Sequence, residues 1–366
     1  MRENPSYLRV FQTFARNSLI REMTFRANFL VQCVSSTSWT LMNIGFYIIW
    51  NKDSIKSNGN VVGDELFAES LCKSINKLYK SIHAELYAPN YLPKKKLDAL
   101  IYLNESPPNE KLSRYHYLYL QNGYEDNIDQ IINRILALEY DGYIFFSEMI
   151  KKEFDEKVQN LNKSLFLPFG VDLEFFYPRE KDHRFNFECA FIGNDIKGSE
   201  SAMRYLFPAT EFNFGLFGNW KVERHKYKIW KNLKKLPPYK KVFESISRGK
   251  IPQESVPVLY SSAQINLNNT IKSCIDWDVI TLRTYEVLAC KGFLISDSVP
   301  IAEKTLKDCL VFTEGGEDLT GKIKYYLAHS KKRQEIAQNG YDYVVKNCSI
   351  DARAAELINH IQEVVK

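Results

Sequence analysis

Short apolar runs alternate with amphipathic stretches along most of the chain, and that alternation is the pattern of parallel α/β architecture. In the first half, Phe46–Trp50, Leu97–Leu103 and Tyr143–Phe146 read as short buried strands. Helical spacing runs across Glu65–Leu86, where Leu66, Leu71, Ile75, Leu78 and Ile82 share one face. Asn127–Leu138 predicts a second helix and Ser147–Asn160 a third, with Ser147 as its N-cap. The second half opens with Glu188–Gly193, a strand ending at glycine, and continues with Phe212–Phe217, closed by Gly218. Ile265–Asn268, Gly292–Ser296 and Leu310–Phe312 follow as strands, and Asp351–Val365 is the last helix. At 366 residues the chain is long for a single core and suits two domains.

One segment carries the clearest chemistry. Asp278 to Asp297 holds a charged loop, an amphipathic helix bearing Arg283 and Glu286, and an apolar strand ending at an acid. In open α/β sheets, ligands bind at the carboxyl edges of strands and at helix N-termini. A helix-borne carboxylate there can accept two hydrogen bonds from vicinal hydroxyls, such as those of a ribose. Asp278 and Glu286, separated by seven residues, flank the mouth of this helix and suit a bound sugar nucleotide.

Arg283-Thr284-Tyr285-Glu286, followed by Leu288-Ala289-Cys290-Lys291-Gly292-Phe293-Leu294-Ile295-Ser296-Asp297, resembles the R-T-F-E-x-L-A-C-G-x-F-L-L-x-D segment of CgeB-type glycosyltransferases. These are relatives of the family 4 enzymes with the GT-B fold. The resemblance continues through residues 299–303, Tyr325–Ser330, Arg333 and Gly340, and covers the N-terminal half only loosely. The stretch Pro168 to Pro178, with Gly170-Val171-Asp172, resembles the link between the two GT-B domains.

The resemblance implies two Rossmann-like domains facing across a cleft: an acceptor domain over 1–170, a nucleotide-sugar domain over 171–347, and a helix over 348–366 returning to the first domain. It implies transfer of a sugar from a nucleotide diphosphate to a hydroxyl acceptor with retention, needing no metal. Glu286 would bind the ribose. Arg283 would neutralise the leaving diphosphate, the alternative being an i,i+3 salt bridge to Glu286. Asp278 stands where family 4 usually has glutamate, and would either touch the donor sugar or shape the loop. Gly193, at a strand end, lets backbone approach a phosphate that Lys197 can meet as a point charge. A strand-to-helix turn without a ligand reads equally well for that pair. Gly218-Asn219-Trp220 resembles the family's G-x-W turn, lining the base pocket or merely turning the chain. Lys250 and Ile251, after Arg248-Gly249, match a stretch whose backbone pairs with the nucleobase; Arg248 and Lys250 could also serve the diphosphate, although a solvated basic loop is the default reading.

Other candidates are weaker. Asp276-Trp277-Asp278 has the form of a metal-holding D-x-D, which arises often by chance and stands late in the chain for that role. Glu105, in the turn after a first-half strand, is a candidate acceptor-side base, with His116 among Tyr115, Tyr117 and Tyr119 as its rival. No phosphate-cradling G-x-x-x-x-G-K-[ST] loop occurs.

Composition sets the boundaries. A hydrophobic fraction of 45% and a charged fraction of 25% belong to a globular protein, and a net charge of +5 gives no reason to expect nucleic acid. Seven scattered cysteines without a C-x-x-C pair predict reduced thiols and a cytoplasmic setting. The frequent Lys, Asn, Ile, Tyr and Phe fit an AT-rich bacterial or phage genome. Ala27–Asn51 carries no charge, but its Ser, Thr, Gln and Asn residues suit a loop and buried strand better than a membrane span. The five arginines before it (Arg2, Arg9, Arg16, Arg21, Arg26) fit a helix packed on its own domain or a peripheral contact with the inner membrane face. The expected partners are a nucleotide-sugar donor and a glycan, lipid-linked or protein acceptor. A nucleotide-sugar epimerase and a non-catalytic nucleotide-sugar-binding protein share the fold and remain open.

Overall fold

The alternation resolves into two parallel sheets. The computed structural model describes residues 42–47, 63–121, 127–158, 163–222 and 236–365. The first sheet comprises β1 (Met42–Tyr47), β2 (Ile82–Tyr87), β3 (Leu97–Tyr102), β4 (Ser113–Leu120), β5 (Gly142–Phe145) and β6 (Ser164–Phe166), in the order β2-β1-β3-β4-β5-β6. The second comprises β7 (Cys189–Ile192), β8 (Phe214–Phe217), β9 (Ile265–Asn268), β10 (Leu294–Ser296) and β11 (Val311–Phe312), in the order β11-β10-β9-β7-β8. Every strand pairing is parallel. In each sheet the strand order reverses beside the first strand, between β1 and β3 and between β7 and β9. Such a reversal opens a crevice at the carboxyl edge, where ligands bind in this architecture.

The described helices are α1 (Gly63–Leu78), α2 (Ile128–Leu136), α3 (Glu148–Val158), α4 (Ser199–Tyr205), α5 (Pro238–Ile246), α6 (Val256–Ser262), α7 (Lys272–Asp276), α8 (Leu282–Ala289), α9 (Pro300–Thr305), α10 (Gly316–Ala328), α11 (Ser330–Asn347) and α12 (Ile350–Val365). Local sequence explains their limits. Asn127 and Gln130 form a reciprocal capping box at the start of α2, whose Ile131, Ile132 and Ile135 are buried. Ser147 caps α3, its Oγ accepting from the Ile150 N–H at 3.2 Å.

Three expectations need correction. The helix expected over Glu65–Leu86 stops at Leu78, and Ile82–Tyr87 is strand β2. Helical spacing continued to Ile82 by coincidence. Leu78 is 43% exposed, whereas Ile82, Ala84 and Leu86 are buried and alternate with more exposed His83 and Glu85, the period of a strand. Strand β4 was not anticipated. Tyr117, Leu118, Tyr119 and Leu120 are all buried, so both faces of this central strand are covered and no alternation marks it. The strand expected at Phe46–Trp50 begins earlier, at Met42, within what read as loop. Residues 48–51, Cys33, and the arginine-bearing segment before Met42 lie outside the described residues. No described helix is long and apolar enough to cross a membrane. The six described cysteines are free thiols.

The chain crosses between the sheets twice, at one place. Val171 and Ser349 form a parallel bridge, with Val171 N–H donating to the Cys348 carbonyl and Ile350 N–H to that of Val171, both at 2.9 Å. A Cβ on Gly170 would stand 3.2 Å from the Ile350 Cα, so glycine permits this close passage. Beyond the second crossing, α12 packs on α1 beside the first sheet. Its Leu357, Ile358 and Ile361 are fully buried, and Asp351 accepts from Ser74 Oγ at 2.6 Å and Lys77 Nζ at 3.0 Å. A second contact ties the sheets together: Ser147 Oγ donates to the Trp277 carbonyl at 2.6 Å, and the Trp277 ring meets Phe146 edge-on.

Candidate active site

The crevice between β7 and β9 gathers the charged groups of the second sheet. Thr281 has the extended backbone of an N-cap, and α8 begins after it, placing Arg283 and Glu286 one turn apart. The Arg283 guanidinium lies 4.8 Å from the centre of the Phe191 ring on β7, and its Nη1 donates to Asn268 Oδ1 at 2.9 Å. Lys197 reaches the same ring from the loop after β7, its Nζ 5.7 Å from the centre. That ammonium donates to the Asn269 backbone carbonyl and, at 2.9 Å, to Asn269 Oδ1. Burial pushes its pKa well below the usual lysine value, and the Arg283 charge adds to the effect. Two cations thus converge on the carboxyl edge, each steered by an asparagine at the end of β9.

Glu286 faces a cavity of about 240 Å³ between the sheets. Leu282 and Gln253 line it on the second-sheet side, Leu66 and Phe67 of α1 on the other, and Gly170 and Phe176 at the crossing. Burial raises the Glu286 carboxyl to about 7, against the opposing pull of Arg283 and the Tyr260 hydroxyl. Tyr260, buried on α6, interacts with both Arg283 and Glu286. A carboxyl held at that cost, without a cation bonded to it, is poised for a ligand that brings hydroxyl donors.

Known structures align with this arrangement of two parallel sheets over most of its length. Sucrose-phosphate synthase from Thermosynechococcus elongatus aligns with a TM-score of 0.63 at 12% identity, over 88% of this chain and 99% of that one. Anabaena HepE in complex with UDP and glucose aligns with a TM-score of 0.59 at 11% identity, over 87% and 99%. The T4 phage β-glucosyltransferase in complex with UDP-glucose gives 0.54 at 15% identity, over 89% and 100%. The fold is GT-B. Residues 202–359 of this GT-B chain also match the family model described as glycosyl transferase-like. No curated protein matches the chain.

Within the GT-B frame the expected site residues divide. Arg283, Lys197 and Glu286 share the crevice region at β7, β9 and α8. Gly193 follows β7, and its N–H is held by the Phe217 carbonyl at 3.0 Å. A Cβ there would stand 3.1 Å from Arg283 Nη2, so the missing side chain leaves room for the guanidinium. Gly218 has φ +118°, and a Cβ on it would lie 2.0 Å from the Gly193 carbonyl oxygen, so glycine permits the close backbone approach of the two loops. Its N–H donates to the Gly249 carbonyl at 2.8 Å, which joins the Gly218 turn to the stretch carrying Lys250 and Ile251. Lys250 is exposed there, Ile251 packs against the core, and Arg248 lies 4.7 Å from the centre of the Phe187 ring.

Asp278, Asp276, Glu105 and His116 are placed differently. Asp278 has φ +56°, and its carboxylate caps α9 by accepting from the Ile301 N–H at 2.6 Å. It lines a separate groove of about 700 Å³ against Glu148 and Lys151 of α3, so in this conformation it shapes the loop. Asp276 is held by Lys272 at 2.7 and 2.8 Å, so the two carboxylates of the D-x-D tripeptide have different partners. Among the described residues no group of three or more His, Cys, Asp or Glu side chains could hold a metal ion. Glu105 stands after β3, beside the first sheet's reversal, and is locked in a two-pronged ion pair with Arg134, one arm 2.8 Å long. His116 is buried in mid-strand with Nδ1 3.2 Å from the Tyr102 hydroxyl, away from the edge. Tyr260, Asn268 and Asn269 were not singled out from sequence. Two polar residues closing an apolar strand were the available signal.

Proposed function

We propose that the protein is a nucleotide-sugar-dependent glycosyltransferase that moves a sugar from a UDP-sugar to a hydroxyl of a glycan, lipid-linked or protein acceptor. The observation that carries the reading is the half-buried Glu286 carboxyl at a cavity between the sheets, one helical turn from Arg283. Ribose hydroxyls donating to Glu286 would replace the water it has lost. Arg283 and Lys197 would meet the diphosphate and stabilise the charge that develops as the sugar departs. The 202–359 match supports the glycosyltransferase class. The neighbours solved with UDP and UDP-glucose support uridine as the base.

The rest of the reaction is positioning. Closure about the paired crossings would bring donor and acceptor together and exclude water. Glu105 could serve the acceptor only by giving up its bond to Arg134, and Asp278 could reach the donor sugar only by releasing α9. We infer retention of configuration from the family 4 resemblance, and a reaction that proceeds in the presence of a metal chelator.

Calorimetry with UDP, GDP, CDP and dTDP on the wild type and on Glu286→Ala tests the reading. We expect UDP to bind and the variant to lose more than about tenfold in affinity, or about 1.4 kcal/mol. Folded protein that binds none of the four would sink the proposal.

A further inference from the structure

Three consecutive residues at the carboxyl end of β9 each hold one charged side chain. Asn268 Oδ1 takes Arg283 Nη1 at 2.9 Å. Asn269 takes Lys197 Nζ through its backbone carbonyl and its Oδ1. Thr270 gives both its N–H, at 2.6 Å, and its hydroxyl, at 2.8 Å, to the carboxylate of Asp297, just after β10. All three are buried, as is Asp297 at 2% exposure.

The hydrogen bonds can run in only one direction. Arginine has no acceptor, so Asn268 must turn its oxygen to Arg283. Its Nδ2 then donates to Ser296 Oγ at 3.1 Å, and Ser296 Oγ donates to Asp297 Oδ1 at 3.1 Å. Asp297 therefore receives three donors, which favour its ionised form against the burial that raises its pKa. The chain begins at a cation and ends at a buried anion. Asn269 is fixed from the other side, its Nδ2 donating to Ser201 Oγ on α4 at 2.9 Å.

A buried asparagine that only completes the backbone looks different, and the same strand provides one. Asn266 Nδ2 donates to the Tyr260 carbonyl at 3.0 Å and grips no charged side chain. Asn268 and Asn269 spend their side-chain oxygens on cations.

We propose that Asn268-Asn269-Thr270 is a positioning platform: it holds the Arg283 guanidinium and the Lys197 ammonium at the crevice, with Asp297 as a fixed negative charge beneath them, so that both stand ready for a diphosphate. The proposal rests on the reading that this site takes a nucleoside diphosphate. Lys197 uses two of its three N–H donors on Asn269, and Arg283 one of five on Asn268, so each keeps donors for an incoming oxyanion. Asp297 lets two like charges share one buried edge before the anion arrives. These residues position the cations and do not themselves touch the nucleotide.

The test compares UDP with uridine, by calorimetry and by NMR titration, on wild type, Asn268→Ala, Thr270→Val and Asn266→Ser. The two platform variants should lower the preference for UDP over uridine by about tenfold while uridine binding stays within about threefold, because the lost interactions serve the diphosphate alone. Asn266→Ser should lower the melting temperature and leave the preference unchanged. Thr270→Val keeps shape and backbone, and decides the matter if Asn268→Ala does not fold. Wild-type binding of UDP with an unchanged preference in folded platform variants overturns the platform and leaves the donor reading intact. Wild type that binds none of the four diphosphates overturns both.

Discussion

Glu286 shows how the surroundings of a single side chain are recorded in its energetics. Its folded-state pKa of about 7 lies above the ordinary carboxyl value of 4.5, so the native state holds this proton more tightly than the unfolded chain. The associated stability is complete below the unfolded value and is lost as pH rises from about 4.5 through about 7. Glu286→Gln should therefore match the wild type near pH 4 and exceed it at pH 8, by on the order of 3 kcal/mol. Urea denaturation at the two pH values measures the difference, and equal stabilities at pH 8 would mean that the carboxyl is not held in a low-dielectric setting. At this scale the sequence was readable where a residue's role follows from its place on an element. Glu286 and Arg283 stand one turn apart on any helix. The partners of Lys197 and Asp278 were not readable, because Asn269 is 72 residues from Lys197 and Ile301 is 23 from Asp278. Long-range hydrogen bonds of this kind leave no local pattern.

Elements were legible where a cap, a helical period or a short apolar run closed by a turn residue marked them. Helices α2 and α3 declare themselves by cap and periodicity, and strands β7 to β10 by short apolar runs ending at Gly, Asn or Asp. Strand β4, covered on both faces, carries Arg114 and His116 among its tyrosines and looks like no single period. The β2 segment happened to continue the helical spacing of α1. Ser147 is the element-scale device with the most to lose, since one hydroxyl caps α3 and also reaches the second sheet at Trp277. Ser147→Ala should cost about 1–2 kcal/mol from the two lost hydrogen bonds, read as a lower urea midpoint. An unchanged midpoint would show that water replaces both bonds, contrary to the full burial of Ser147.

The whole molecule is two parallel sheets joined by a paired chain crossing and by the Ser147–Trp277 contact, and the two-sheet architecture was anticipated because alternation and strand ends are repeated many times along the chain. The register of the crossing was not, since Val171 and Ser349 meet only when both sheets exist. Helix α12 completes the first sheet's packing from the far end of the sequence. Ile358, fully buried there, tests that dependence. Ile358→Asp should strip hydrogen-exchange protection from β1–β5 while β7–β10 keep theirs, because a buried unpaired carboxylate costs several kcal/mol where α12 meets α1. Uniform loss across both sheets would mean that they fold as one unit.

That dependence has a temporal side. During translation the apolar face of α1, with Phe67, Leu71 and Ile75, leaves the ribosome long before the helix that covers it has been made. At ordinary rates of synthesis the delay is on the order of tens of seconds. The half of the protein made first is thus finished last, and in the interval its uncovered helix face is a natural client for a chaperone.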